Sequence, residues 1–133
     1  MFTLKLVTPQ KKLLEGAEVK DVFVPAYRGE LQILPGHAPL VTTLTAGVLK
    51  YRLKDSDKLE SVAISWGYCQ VSPTGVTVMA ETAELAQDIN LVAAQKDRAD
   101  ALEALGKVTY DGFEGERLKF EQAEARINAT KSH

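Results

Sequence analysis

Gly29-Glu30-Leu31-Gln32-Ile33-Leu34-Pro35-Gly36-His37-Ala38-Pro39-Leu40-Val41-Thr42 is the stretch on which the reading of this 133-residue chain turns. Leu31 and Ile33 alternate with polar neighbours, the period of a strand with one buried face. Pro35-Gly36 suits a tight turn, and the Ala38-Pro39 step keeps the chain extended into a further strand. The same period of two recurs on both sides, in Phe2, Leu4 and Leu6, in Val22 and Val24, in Leu49, Tyr51 and Leu53, in Val62 and Ile64, and in Val76, Val78 and Ala80. Turn signals separate these runs: Glu15-Gly16, Arg28-Gly29, Pro35-Gly36, Ala46-Gly47, Lys54-Asp55-Ser56-Asp57 and Pro73-Thr74-Gly75. Short strands closely spaced by turns predict an antiparallel β-sandwich or flattened barrel. A parallel sheet is disfavoured, because each crossover needs a dozen or more residues.

The grammar changes after residue 87. All five prolines lie in the first 73 residues, while residues 88–133 are rich in Ala, Glu, Gln, Lys and Arg and carry 9 acidic and 7 basic side chains, against 9 of each in 1–87. The organisation expected is therefore a sandwich over 1–87 and a helical unit over 88–133. Asp88 is placed as the N-cap, with Ile89, Val92, Ala99 and Leu102 on one helix face. Gly106, Thr109, Gly112 and Gly115 interrupt the pattern, and Phe113, Phe120, Ala123 and Ile127 form a second stripe. Two antiparallel helices of about 15 to 20 residues each follow, with a narrow, alanine-rich seam. So few large apolar residues make the hairpin marginal by itself, which suits a detachable element.

Composition removes several function classes. A net charge of -2 supplies no field for phosphate backbones, so nucleic acid is not an expected partner. The apolar runs are far shorter than the roughly 20 residues of a membrane-crossing helix. Residues 1–6 read as neither a secretory signal nor a transit peptide, which leads to the expectation of residence where the chain is made. The lone Cys69 fits a reducing compartment and a small buried strand residue.

Chemistry is equally hard to assemble. Ser61, Ser65 and Ser72 sit in no nucleophile elbow, and His37 has only His133 as a second histidine. His37 reads as a turn residue making structural hydrogen bonds. No metal-ligand spacing, calcium loop or phosphate-cradling glycine motif occurs. No catalytic residue, metal or cofactor is expected.

The segment 29–42 resembles, without a gap, the signature G-x-[LI]-x-[IV]-L-P-x-H-A-P-L of epsilon subunits of bacterial F-type ATP synthases. Leu6-Val7-Thr8-Pro9, Thr45-Ala46-Gly47-Val48-Leu49 and Trp66-Gly67-Tyr68 are similar to neighbouring family segments, Trp66 being a variant. The resemblance implies a non-catalytic rotor subunit of the central stalk, with the γ subunit and the c-ring as partners and a peripheral position on the cytoplasmic face of the plasma membrane. It implies a binding role for Glu30, Leu31, His37, Ala38, Pro39 and Leu40. It also implies that Arg98, Arg117, Lys119 and Arg126, as a group, face an acidic loop of the catalytic β subunit within the α/β head when the helices extend, hindering hydrolysis. Some relatives bind ATP through a motif resembling I-D-x-x-R-A. Here Ile89 is followed by Asn90 in place of the acid and Ala93 in place of the arginine, so weak or no ATP binding is expected. The alternative is a small-ligand-binding β-sandwich with the helices as a lid.

Overall fold

A computed structural model describes residues 2–36, 38–106 and 110–132. Nine strands come first: β1 Phe2–Val7, β2 Lys12–Ala26, β3 Gly29–Ile33, β4 Leu40–Leu44, β5 Gly47–Leu53, β6 Glu60–Ile64, β7 Gly67–Ser72, β8 Gly75–Ala80 and β9 Ala83–Leu85. A 3-10 turn, Ala86–Asp88, leads into α1, Leu91–Leu105, and α2, Tyr110–Ser132.

The β-sandwich of the sequence reading is present, and β2 organises it. Its first half pairs with β1 and its second half with β3 and β5, so this one strand serves both layers. One layer runs through β1, β8, β7 and β4, the other through β5, β6 and β9, and a single pairing, Ala26 with Leu44, closes the path from β4 to β2. Antiparallel pairing prevails, but β1 lies parallel to β8. The whole of the intervening chain is available as the crossover there, so the length argument against parallel neighbours does not apply.

Glu15-Gly16, expected as a turn, lies inside β2 instead. Leu4 faces Ala17 and Lys5 faces Glu15, which leaves Gly16 as the extra residue of a bulge at φ 94°. Only glycine takes that conformation without strain. A second irregularity, between Val19 and Asp21, explains why Val19 and Val22 both point inward although they are three apart. One extra residue resets the alternation.

The core is made by both layers. Leu4, Leu6, Val19, Val22, Val24, Leu49, Val62, Val78 and Cys69 are all fully buried. Desolvation pushes the Cys69 thiol up to about 11. Phe2, Ile33, Leu44, Tyr51, Ile64, Val71 and Val76 complete the cluster.

The hairpin departs from the sequence reading in three ways. Asp88 closes the 3-10 turn, and Asn90 is the residue that caps α1, its Oδ1 accepting from Ala93 N at 3.0 Å. Gly112 and Gly115 lie within α2, which makes that helix 23 residues long; Thr109 lies outside the described residues, as does the Phe113 side chain. Val92 and Leu102 are 76% and 56% exposed, and the buried positions of α1 are Ala94 and Ala101. Helix backbones approach most closely over methyl groups, so the seam selects small residues and turns the larger ones outward. On α2 the stripe holds better: Ala123 and Ile127 are buried, together with Ala125 and Ala129. Helix α2 packs on β5 and β6, where Ala129 meets Ala63 and Ala86 with Val48 and Ile89 alongside.

Candidate functional site

The two outer faces of the sandwich differ. Over β5 and β6 the hairpin is docked, whereas the outward side chains of β4, β7, β8 and β1 carry no covering element among the described residues. Cross-strand register places Thr43 opposite Tyr68, Tyr68 opposite Met79, and Met79 opposite Val7. Paired residues share a face, so these four form one row across four strands. Tyr68 and Met79 are 44% and 41% exposed, and the Tyr68 hydroxyl donates to Met79 Sδ at 2.8 Å. Exposed Val41 stands two positions before Thr43 on the same face of β4. Tyr27, 72% exposed, adjoins the row through its backbone N–H, which donates to the Thr43 carbonyl. Exposed aromatic and apolar side chains grouped in this way suit a protein interface.

The segment 29–42 joins this group at its β4 end, through Val41. Glu30 and Leu31 lie on β3, Glu30 within 3.6 Å of Lys50 Nζ and Leu31 half-buried against the core. Ala38 and Pro39 are exposed and Leu40 is half-buried as β4 begins. His37 lies outside the described residues. The structure thus brings together Leu31 and Leu40 at the core margin, and adds Tyr27, Val41, Tyr68 and Met79, which the sequence reading did not single out. The signal available for them was the polar-to-apolar reversal on outward strand positions.

Arg98, Arg117, Lys119 and Arg126 each have a partner. Arg117 pairs with Glu114 at 2.7 Å and Glu121 at 2.6 Å, and Lys119 with Glu116 at 3.4 Å, all within α2. The fork of Arg117 holds the Glu114 carboxyl below its usual range, chiefly by hydrogen bonding. Arg98 lies 5.5 Å from the centre of the Phe120 ring, linking the two helices. Arg126 alone among these four bonds outside its own helix to carboxylates: Glu84 of β9 and Asp97 of α1.

Residues of the degenerate nucleotide motif have structural work. Asn90 caps α1 through Ala93 N, and Ile89 packs beside Ala63 and Ala129. A cleft of about 730 Å³ opens between the helices and the β6–β9 margin, lined by Glu84, Asp97, Asp100, Glu116, Lys119 and Arg126 among others. Its charges are largely paired with one another. The described residues contain no cluster of three or more potential metal ligands, and no described helix is long and apolar enough to cross a membrane.

Comparison with known proteins agrees with this architecture. Residues 1–86 match the family described as ATP synthase, Delta/Epsilon chain, beta-sandwich domain. The chain is 34% identical to the ATP synthase epsilon chain of Prochlorococcus marinus over 135 residues, covering 98% of both proteins. It is 36% identical to that of Desulfitobacterium hafniense over 136 residues, covering 98% of this chain and 97% of the relative. A match to the epsilon chain of Bdellovibrio bacteriovorus reaches 55% over 93 residues, covering 70% of this chain and 66% of that protein. Among solved structures, a chain of the Euglena gracilis mitochondrial ATP synthase OSCP/F1/c-ring assembly superimposes with a TM-score of 0.86 at 20% identity, covering 98% of this chain and 81% of its own. A chain of the Tetrahymena thermophila mitochondrial central stalk/c-ring gives 0.68 at 16%, covering 97% and 96%. These two likenesses concern the fold. The family match over the sandwich and the relatives that align along the full length, helical hairpin included, establish that the chain belongs to the ATP synthase epsilon-chain family, a non-catalytic subunit of that membrane-associated complex.

Proposed function

We propose that this chain works as a rotor subunit of the central stalk in a bacterial, proton-translocating ATP synthase, on the cytoplasmic face of the plasma membrane. In this reading the sandwich grips the γ subunit and rests on the c-ring, passing torque between ion flow and a catalytic head whose chemistry lies elsewhere. The observation that carries it is the uncovered row through Met79, Tyr68 and Thr43, flanked by Val41 and Tyr27. Apolar and aromatic side chains at the centre of an interface contribute most of its affinity. We assign the row to the γ subunit and the 30–40 segment to the junction of γ with the c-ring.

The hairpin is assigned a regulatory role. Extended toward the head, it presents Arg98, Arg117, Lys119 and Arg126 to an acidic surface of the catalytic β subunit and impedes ATP hydrolysis. Support comes from its thin attachment and from Val92, Ala99 and Leu102, which lie on one exposed face of α1 and await a partner. Nucleotide binding by the isolated subunit is expected to be weak or nil, because Asn90 is engaged as a cap.

Two measurements test this. Tyr68→Glu should abolish co-purification with γ while leaving the far-ultraviolet spectrum unchanged, since Tyr68 points outward; retained capture would remove the row from the interface. Deleting residues 88–133 should leave assembly intact and raise hydrolysis, and unchanged hydrolysis would sink the inhibitory role.

A further inference from the structure

Arg126 and Gln122 tie the hairpin to the sandwich through polar side-chain contacts. Arg126 Nε donates to Glu84 Oε1 at 2.7 Å, Nη2 to Glu84 Oε2 at 3.4 Å and Nη1 to Asp97 Oδ2 at 3.4 Å. One guanidinium therefore joins α2, β9 and α1. One turn earlier, Gln122 Nε2 donates to Thr82 Oγ1 at 3.2 Å, and Thr82 Oγ1 donates to Ser65 Oγ at 3.0 Å. Positions i and i+4 of a helix are about 6 Å apart along its axis, and positions i and i+2 of an extended chain about 6.6 Å. Gln122 and Arg126 thus match Thr82 and Glu84 in spacing. The apolar contact beneath them consists largely of methyl groups, Ala129 on Ala63 and Ala86.

Arg126 differs from the other three cations in what undocking would cost it. Arg117 and Lys119 keep their carboxylates inside α2, and Arg98 keeps its ring within the hairpin. Arg126 is 21% exposed and loses Glu84 when α2 leaves the sheet. A guanidinium fork that holds one carboxylate through two nitrogens cannot offer the same geometry to a second.

We propose that Glu84 acts as an internal decoy for Arg126, with Asp97 steadying the guanidinium from within the hairpin, so that docking occupies the side chain that the released hairpin presents to an acidic partner. The idea rests on the inhibitory role assigned above and names its control element. Docking and partner contact compete for one side chain, so removing the decoy carboxylate both loosens the hairpin and leaves the inhibitory cation in place. Removing Arg126 also loosens the hairpin but takes the cation away.

The test uses the full-length chain, spin-labelled through Thr74→Cys and Val92→Cys, with distances read by dipolar spectroscopy. Both positions are exposed, and buried Cys69 is shielded from label. Glu84→Gln should lower the docked-to-released ratio about fivefold, the scale of a partly exposed charge-assisted contact, and Asp97→Asn by less. Rising salt should release the unaltered chain, and Glu84→Gln should respond less. With the catalytic head added, Glu84→Gln should deepen inhibition of hydrolysis while Arg126→Gln relieves it, although both release the hairpin. Docking unmoved by Glu84→Gln and Asp97→Asn together, or inhibition shifted in the same direction by Glu84→Gln and Arg126→Gln, overturns the decoy alone. Hydrolysis indifferent to deletion of 88–133 overturns the inhibitory role, and the decoy with it.

Discussion

In the sandwich, Leu4, Leu6, Val19, Ile33, Leu49, Ile64 and Val78 interlock from two layers at no more than 1% exposure, whereas among the described residues of the hairpin the buried ones are Ala94, Ala101, Ala123, Ala125, Ala129 and Ile127. The first region is stabilised by large apolar side chains that have nowhere else to go. The second is fastened by methyl contacts and by ion pairs that water and salt can replace. Free energy is therefore unevenly spread along one chain, which is the distribution that release of the hairpin from a folded sandwich requires. The rotor and regulatory roles proposed above ask for that difference, a part that stays folded joined to an arm that moves.

The sharpest way to break this contrast is a pair of equal truncations. Leu4→Ala should cost about 2 to 5 kcal/mol in denaturant unfolding, because Leu4 is fully buried, while Leu102→Ala should stay within about 0.5 kcal/mol. Comparable costs would mean that the hairpin shares the sandwich core. Next in size is Ala129→Leu, which overfills the contact with Ala63 and Ala86 and should weaken docking by about 1 to 3 kcal/mol. Amide exchange should quicken through α2 but not in β1 or β8; equal loss in both would show that the two units cannot separate. Asn90→Ala removes the α1 cap at about 1 kcal/mol, seen as lost helicity, whereas Asn90→Asp should retain it. The smallest effect concerns acid. The folded-state carboxyl of Glu114 sits below its ordinary value, so its stabilisation is present above the ordinary carboxylate range and is lost as pH falls through the lowered value. Chemical shifts near Glu114 should titrate at lower pH than in Arg117→Gln, and identical titrations would discard the pair.

Much of this architecture could be read from residue order. Inward strand positions were legible because their outward neighbours are polar, as in Phe2, Leu4 and Leu6, where the period of two is clean. It failed where a bulge resets the alternation, at Gly16 and between Val19 and Asp21, and where β9 is too short to show a period at all. The α1 face was misjudged because hydrophobicity picks the largest residues, Val92 and Leu102, while close helix approach picks the smallest, Ala94 and Ala101. In the candidate site, the 29–42 run is contiguous and could be seen at once. The apolar row could not, since Val7, Thr43, Tyr68 and Met79 come from four strands and only cross-strand pairing makes them neighbours.

Strand β9 has a further consequence. Among the described residues it pairs with β6 alone, and its central Glu84 meets Arg126 of the hairpin. Its other margin has no strand partner among the described residues, and unpaired strands are templates for aggregation with other chains. Three residues with a carboxylate in the middle are too short and too charged to recruit a neighbour. The seat of the hairpin is thus non-adhesive, so the release proposed above would not condense the subunit onto its own copies.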